Sequence, residues 1–323
     1  MQLPRGKCKL ARGDFTVHPY VDYVQSANTL FHFMKEFGYL KTILTKKAIV
    51  PRYCIETMDY LHIKSGDLDI QKVAVLQKCF CDIPLHKIPE TFSVIGTGEV
   101  YAGLTSEEQF RVQHQNTHFD FYGRYAIGFS KDWSERNKLQ PIHYLNTASA
   151  YSNHFESLLP IALSAEDLED VYVDDVLYRL AFIKPLRGIM QRNIDQGDGK
   201  VVNVDIYKNF HDECEWRFVP AHTVTESFDL SNVIANPQIV GNDDTMKNMN
   251  KRLEDELYHP LWLDFDFDDI RYLIVPDSAH RIDLINVICD IPENKFPDEV
   301  DVDIQKKILI SKILVLDEVR RDW

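Results

Sequence analysis

Residues 209–220 read NFHDECEWRFVP, and the reading of this stretch decides how the sheet of the chain is built. As a strand it alternates side chains between two faces. Glu213, Glu215 and Arg217 then share one face, while Cys214, Trp216 and Phe218 share the other. The aromatic face belongs in a core, so Trp216 is expected to be largely buried. The charged face has two readings: an outer face of solvated charges, where an exposed pair contributes little, or one wall of a site that uses carboxylates.

Working outward, DQGDGK (195–200) is the strongest turn signal in the chain, because Gly197 and Gly199 permit positive φ. VVNVDIY follows it with strand-like alternation. NTLFHF (28–33) reads as a strand, and Phe37, Leu40, Ile43 and Leu44 fall at helical spacing over 35–47 before Pro51. VLQKCFCDIPL (75–85) has the β-rich look of a buried strand stopped by Pro84. TSEEQFRVQHQ (105–115) is a helix capped by Thr105 or Ser106, with Glu108 placed for a capping box. YGRYAIGFSKDW (122–133) is a strand that breaks at Ser130 into a short helix, and PIHYLN (141–146) is another strand. Two helical segments are expected over 153–184, the second stopped by Pro185. A charged helix is expected over 245–259 and a core strand in RYLIVP (271–276); ISKILVLDEV (310–319) is compatible with strand or helix. Strands interrupted by helices without a regular β-α-β beat predict an α+β fold, a mixed, bent sheet with flanking helices.

With 323 residues, 45% of them hydrophobic, the chain has ample material for a buried core. Its net charge of -14 repels a phosphate backbone and argues against nucleic acid as a partner. No segment approaches the ~18 apolar residues of a membrane span, and MQLPRGKCKLARGDF lacks a signal-peptide core, so no membrane and a cytoplasmic location are expected. Six scattered cysteines predict reduced, mostly buried thiols. No linker divides the chain. The expected organisation is a main domain over 28–276, with an N-terminal extension over 1–27 and a C-terminal extension over 277–323 packed on it.

Several local patterns resemble sites without completing them. LDFDFDDI (263–270) begins like a calcium loop, but the sixth position is Asp269 instead of glycine and the twelfth is Val275 instead of glutamate. Cys79 and Cys81 lack zinc spacing and a second pair, and His114 with His118 lacks the zinc-protease glutamate, so no metal site is expected. Gly96 and Gly98 miss the third glycine of a dinucleotide fingerprint. His32 lies between Phe31 and Phe33 on a presumed strand, so it points away from both rings, either as a hydrogen-bonded core group or as a ligand binder.

In this order, residues 28–56, CFCDIPL (79–85), FYGRYAIGFSKDW (121–133), PIHYLN, FIKPLRG (182–188), YKNFHDECEWRFVP (207–220) and DDIRYLIV (268–275) resemble the AbiGi family of phage abortive-infection proteins and, more distantly, the DUF2971 family. That resemblance implies the antitoxin side of a two-gene system whose toxin is nucleotidyltransferase-like. The work would then be done through binding, as antitoxin or sensor, of a partner encoded nearby or a phage-derived trigger; no catalytic residues come with it.

A second resemblance is to the ADP-ribosyltransferase fold, with NAD as substrate and a protein or nucleic-acid target. LFHF at His32 is similar to its ribose-holding first element. Arg52-Tyr53 or the Cys79–Asp82 strand could supply its middle element, and Glu213-x-Glu215 is similar to its last. On that resemblance Glu215 would face the positive charge developing on the ribose, Glu213 would face the acceptor, and His32, Arg52, Tyr53 and Arg217 would support the cofactor in a cleft between His32 and Glu215.

Overall fold

A computed structural model describes residues 26–65, 68–164, 176–195, 200–298 and 301–322. Most of the expected N-terminal extension and residues 196–199 of the DQGDGK turn therefore lie outside the described residues. The principal sheet is organised around one long strand, Lys72–Cys81, whose sequence KVAVLQKCFC is rich in β-branched and aromatic side chains. Its first half pairs antiparallel with Arg52–Thr57, from Arg52 opposite Gln77 to Thr57 opposite Lys72, and with the short strand Val233–Ile234. Its second half pairs with Glu215–Phe218, Glu215 opposite Cys81 and Phe218 opposite Lys78.

Thr29–Met34 meets the long strand at a single position, Phe31 opposite Cys81, and then diverges from it. Beyond Thr29–Met34 the sheet continues through Tyr125–Ser130 and Ile270–Val275 to Ile313–Val315, the last pair parallel and the others antiparallel. The fold is thus α+β with a mixed, bent sheet and flanking helices, as expected.

Register assigns the faces. On one face Leu30, Met34, Phe80, Ile127 and Phe129 join Trp133 in the largest core cluster. Helices Phe37–Lys46 and Ser278–Cys289 cover this face, the first through Leu40, Ile43 and Leu44, the second through Leu284, Val287 and Ile288. The chain after Ser278 is woven into this core, since Leu309, Ile313 and Val315 belong to it. On the other face Phe31, Phe33, Cys81 and Ala126 pack with Phe119 and Leu316. A separate three-stranded antiparallel sheet, Val94–Thr97, Val201–Asn209 and Arg187–Asp195, packs Ile194, Val204 and Ile206 against Leu104 and Val112.

Local signals hold where they are chemical. Thr105 and Glu108 form the capping box of Ser106–His114, and the Ser130 side chain caps Lys131–Arg136. Four expectations change. Residues 209–220 are not one strand: Phe210–Glu213 is a 3-10 turn, Cys214 takes φ 44°, and only Glu215–Phe218 is extended. Residues 183–185 form a strand instead of a helix end, because Ile183–Pro185 pairs parallel with His143–Leu145. The 245–259 helix is Asp243–Arg252, followed by the 3-10 segment Glu256–Leu261 that contains Pro260. Residues 310–319 contain the end of helix Val302–Ser311, strand Ile313–Val315 and the start of helix Leu316–Asp322.

Candidate functional site

The burial of the opening stretch is the reverse of expectation. Trp216 and Phe218 are only partly buried against the main core, whereas Glu215 is 5% exposed and Arg217 fully buried. Alternation is obeyed, with Glu215 and Arg217 on one face and Trp216 on the other, but the charged face is the covered one.

What covers it is more charge. The Arg217 Nε donates to Glu215 Oε1 at 2.6 Å, and its Nη2 to Glu56 Oε1 at 3.0 Å. Lys184 Nζ reaches Glu213 Oε2 at 2.6 Å and Glu215 Oε2 at 3.1 Å. Lys208 Nζ donates to Glu213 Oε1 at 2.8 Å, and the Tyr122 hydroxyl donates to the same oxygen. Glu213 is off the strand, yet the 3-10 turn and the positive φ of Cys214 aim it into the same cluster. Glu56, Glu213 and Glu215 are matched by Lys184, Lys208 and Arg217, with Gln77 donating to Glu56 and Arg217 Nη1 to the Ala181 carbonyl.

Burial alone would raise the carboxyl pKa values, but the ion pairs win. Arg217 and Lys184 hold Glu215 well below the usual carboxylate range, and Lys184 and Lys208 hold Glu213 low. Lys184 is pushed up by the two carboxylates against its own burial, whereas Lys208 is pulled down because burial outweighs its one carboxylate. Both glutamates are therefore ionised and hydrogen-bonded on both oxygens. A carboxylate in that state is a poor base and has no free face for a substrate.

His32 lies elsewhere. It shares the face of Phe80, its ring centroid 5.4 Å from that ring, opposite to the face of Glu215 and Arg217. Its Nδ1 is 2.9 Å from the Cys79 carbonyl oxygen. That carbonyl sits on a stretch of the long strand's edge that Thr29–Met34 and Arg52–Thr57 leave open, since one pairs only at Cys81 and the other stops at Gln77. The imidazole fills a missing ladder bond. Burial and the nearby Lys78 push its pKa down to about 3, so the ring is neutral.

This fork between strands opens into a pocket of about 400 Å3 lined by His32, Lys78, Arg52, Tyr39 and the helix Phe37–Lys46. Tyr122 reaches both the pocket wall and Glu213, and so separates pocket from network. The structure thus brings His32 and Arg52 together, and separately Glu213, Glu215 and Arg217. Tyr53 joins neither: it is 4% exposed in another core cluster, and its hydroxyl donates to the Ser231 carbonyl at 2.7 Å. The expected open cleft between His32 and Glu215 does not form, because the two side chains leave opposite faces of the sheet and both are buried. Of the other middle candidates, Asp82 pairs with Lys131 and Cys79 faces the network.

The residues missed from sequence are Glu56, Tyr122, Lys184 and Lys208, with Lys78 at the pocket. Lys208 left a signal: it continues the inward positions Val204 and Ile206 of an alternating strand, so a lysine stood where a core residue was due. Lys184 left none, because its stretch reads as the end of a helix before Pro185. Calcium and zinc patterns resolve into local structure. Asp266 and Asp269 form a capping box, and His114 and His118 lie on different helices, His114 exposed and His118 buried.

Fold and site define an α+β protein with a closed, charge-balanced network on one face of a mixed sheet and an open pocket at a split between strands. Comparison with known proteins places it more closely. The family model for abortive phage resistance protein AbiGi, antitoxin, matches residues 106–276. The curated "Abortive phage resistance protein AbiGi" of Lactococcus lactis subsp. cremoris is 31% identical over 284 residues, covering 85% of this chain and 100% of that protein. The chain belongs to the AbiGi family and is a component of abortive phage resistance. No solved structure matches it. Among the described residues, no helix is long and apolar enough to cross a membrane.

Proposed function

We propose that this chain serves abortive phage resistance by binding a protein partner, as the antitoxin description of its family suggests, and not by catalysis through its paired glutamates. The observation that carries the reading is an exposed apolar row across the three-stranded sheet. Ile189 pairs with Tyr207 and Tyr207 with Ile95, so the three side chains stand in register on one face, 59%, 42% and 65% exposed. The inner face of this sheet is already filled by Ile194, Val204 and Ile206, so the row contributes nothing to the core. Apolar side chains aligned across an open sheet face are a surface for another protein. The closed network supports the same reading from the other side, since the two carboxylates most suited to chemistry are consumed by internal ion pairs.

The test is co-expression with the product of the adjacent gene, followed by size-exclusion chromatography of the wild type and of Ile189→Glu. The wild type is expected to co-elute with the partner. The variant should fold normally, because the site is solvated, and bind about tenfold or more weakly. An unaffected complex would move the interface off this row, and failure of the wild type to bind would remove the partner reading.

A further inference from the structure

The pocket at the fork has a composition at odds with the rest of the molecule. In a chain of net charge -14, four of its lining side chains are basic (Lys35, Lys46, Arg52 and Lys78) and two acidic (Glu36 and Glu254). Two of the cations are already neutralised: Lys46 pairs with Glu256 at 3.0 Å, and Arg52 pairs with Glu254. The Lys78 ammonium makes no hydrogen bond and no ion pair among the described residues, although the residue's backbone pairs with Phe218. It stands on the open stretch of the long strand, beside the neutral His32 and near the Arg52 guanidinium.

A cation in that position is costly. Burial, the largest cause, and repulsion from Arg52 lower its pKa, against the opposing pull of Cys54, Cys79 and Glu254. Among the described residues the buried cations are matched, Lys131, Lys208 and Arg217 by carboxylates and Arg192 by carbonyl and amide oxygens. A lysine left unmatched at the wall of a cavity is a binding group awaiting an anion.

We propose that this pocket binds a phosphate-bearing small molecule of about mononucleotide size, with Lys78 as its charge partner. The volume, about 400 Å3, lies within the range of roughly 300–1,000 Å3 usual for small-molecule sites. A compact ammonium suits a phosphate as a point charge. Tyr39, Ile43, Ile49 and Val50 supply the apolar wall for the uncharged remainder of the ligand. The first turn of Phe37–Lys46, which starts at the pocket rim without a side-chain cap on its amides, adds positive potential. Neither the apolar row nor the carboxylate network enters this proposal, so it is independent of the partner reading.

Thermal melting and titration calorimetry on the full chain decide it, with ADP as probe, pyrophosphate and adenosine as its two halves, and Lys78→Met as the variant. Methionine keeps the length and removes the charge. The expected result is that ADP and pyrophosphate stabilise the wild type and adenosine does so at least about tenfold less well. Lys78→Met should lose ADP binding while melting, without ligand, at or above the wild-type temperature, since a half-buried cation without an ion pair has been removed. That combination separates loss of a ligand from loss of the fold. The proposal is overturned if neither ADP nor pyrophosphate at millimolar concentration binds the wild type, if adenosine binds as well as ADP, or if both forms bind ADP equally. A ligand-free Lys78→Met that melts well below the wild type would also overturn it, by showing that the ammonium already has a structural partner.

Discussion

Glu215 is held between Arg217 and Lys184 with almost no solvent contact, so its charge matters to stability whatever its role in function. Replacing it with glutamine keeps the shape but leaves the buried Arg217 and the half-buried Lys184 short of a counter-charge. Glu215→Gln should lose about 3–5 kcal/mol in urea denaturation, and a loss below about 1 kcal/mol would show that the network does not close on this carboxylate. The buried histidines give a second handle. His32 and His118 both have pKa values lowered to about 3 by burial, His32 with help from Lys78 and His118 with help from Lys208; His118 packs among Phe92, Phe33 and Tyr122 with no partner for either ring nitrogen.

Between the ordinary value of 6.5 and about 3 the unfolded chain takes up protons that the folded chain refuses. Stability is therefore fully present above pH 6.5 and falls on acidification, by up to about 1.4 kcal/mol per pH unit for each histidine. His118→Phe should flatten the slope of melting temperature between pH 7 and 5, and an unchanged slope would exclude His118 as a source. At this scale the sequence was half legible. Alternation told which side chains share a face with Arg217, but not which face would be covered, because the cover comes from Lys184, Lys208 and Tyr122, residues remote in the chain or outside the strand.

Among the elements, those with strong periodicity or chemical caps read correctly to within a residue or two. Strands Thr29–Met34 and Ile270–Val275 and the capped helix Ser106–His114 are examples. The failures are short pieces whose state is set by a distant neighbour: Ile183–Pro185 is extended only because His143–Leu145 lies beside it, and Glu213 leaves the strand because Cys214 turns left-handed. One connection is fixed by geometry alone. Gly123 joins helix His118–Tyr122 to strand Tyr125–Ser130 at φ 113°, and a Cβ there would lie 2.0 Å from the Met34 carbonyl oxygen. Backbone cannot swing aside as a side chain can. Gly123→Ala should cost about 2–4 kcal/mol, measured by chemical denaturation, and a neutral result would mean that the strand pair tolerates a shifted register here.

For the whole molecule, the α+β class and the mixed sheet followed from the irregular succession of strands and helices. The site's architecture did not, because the fork depends on where two strands stop pairing, a long-range register that no local pattern encodes. The long strand Lys72–Cys81 is bordered by four strands drawn from residues 29 to 234, and on the edge facing Thr29–Met34 and Arg52–Thr57 the stretch between Gln77 and Cys81 lacks a strand beside it. That arrangement has a consequence in time. No single strand can peel away and free this one, so the backbone amides of its paired positions should exchange with deuterated solvent more slowly than any others, through global unfolding alone. Fast exchange at Val73–Leu76 would mean that the two halves of the sheet open separately. If they do not, the strand is the slowest clock in the molecule, and the pocket opens directly onto it.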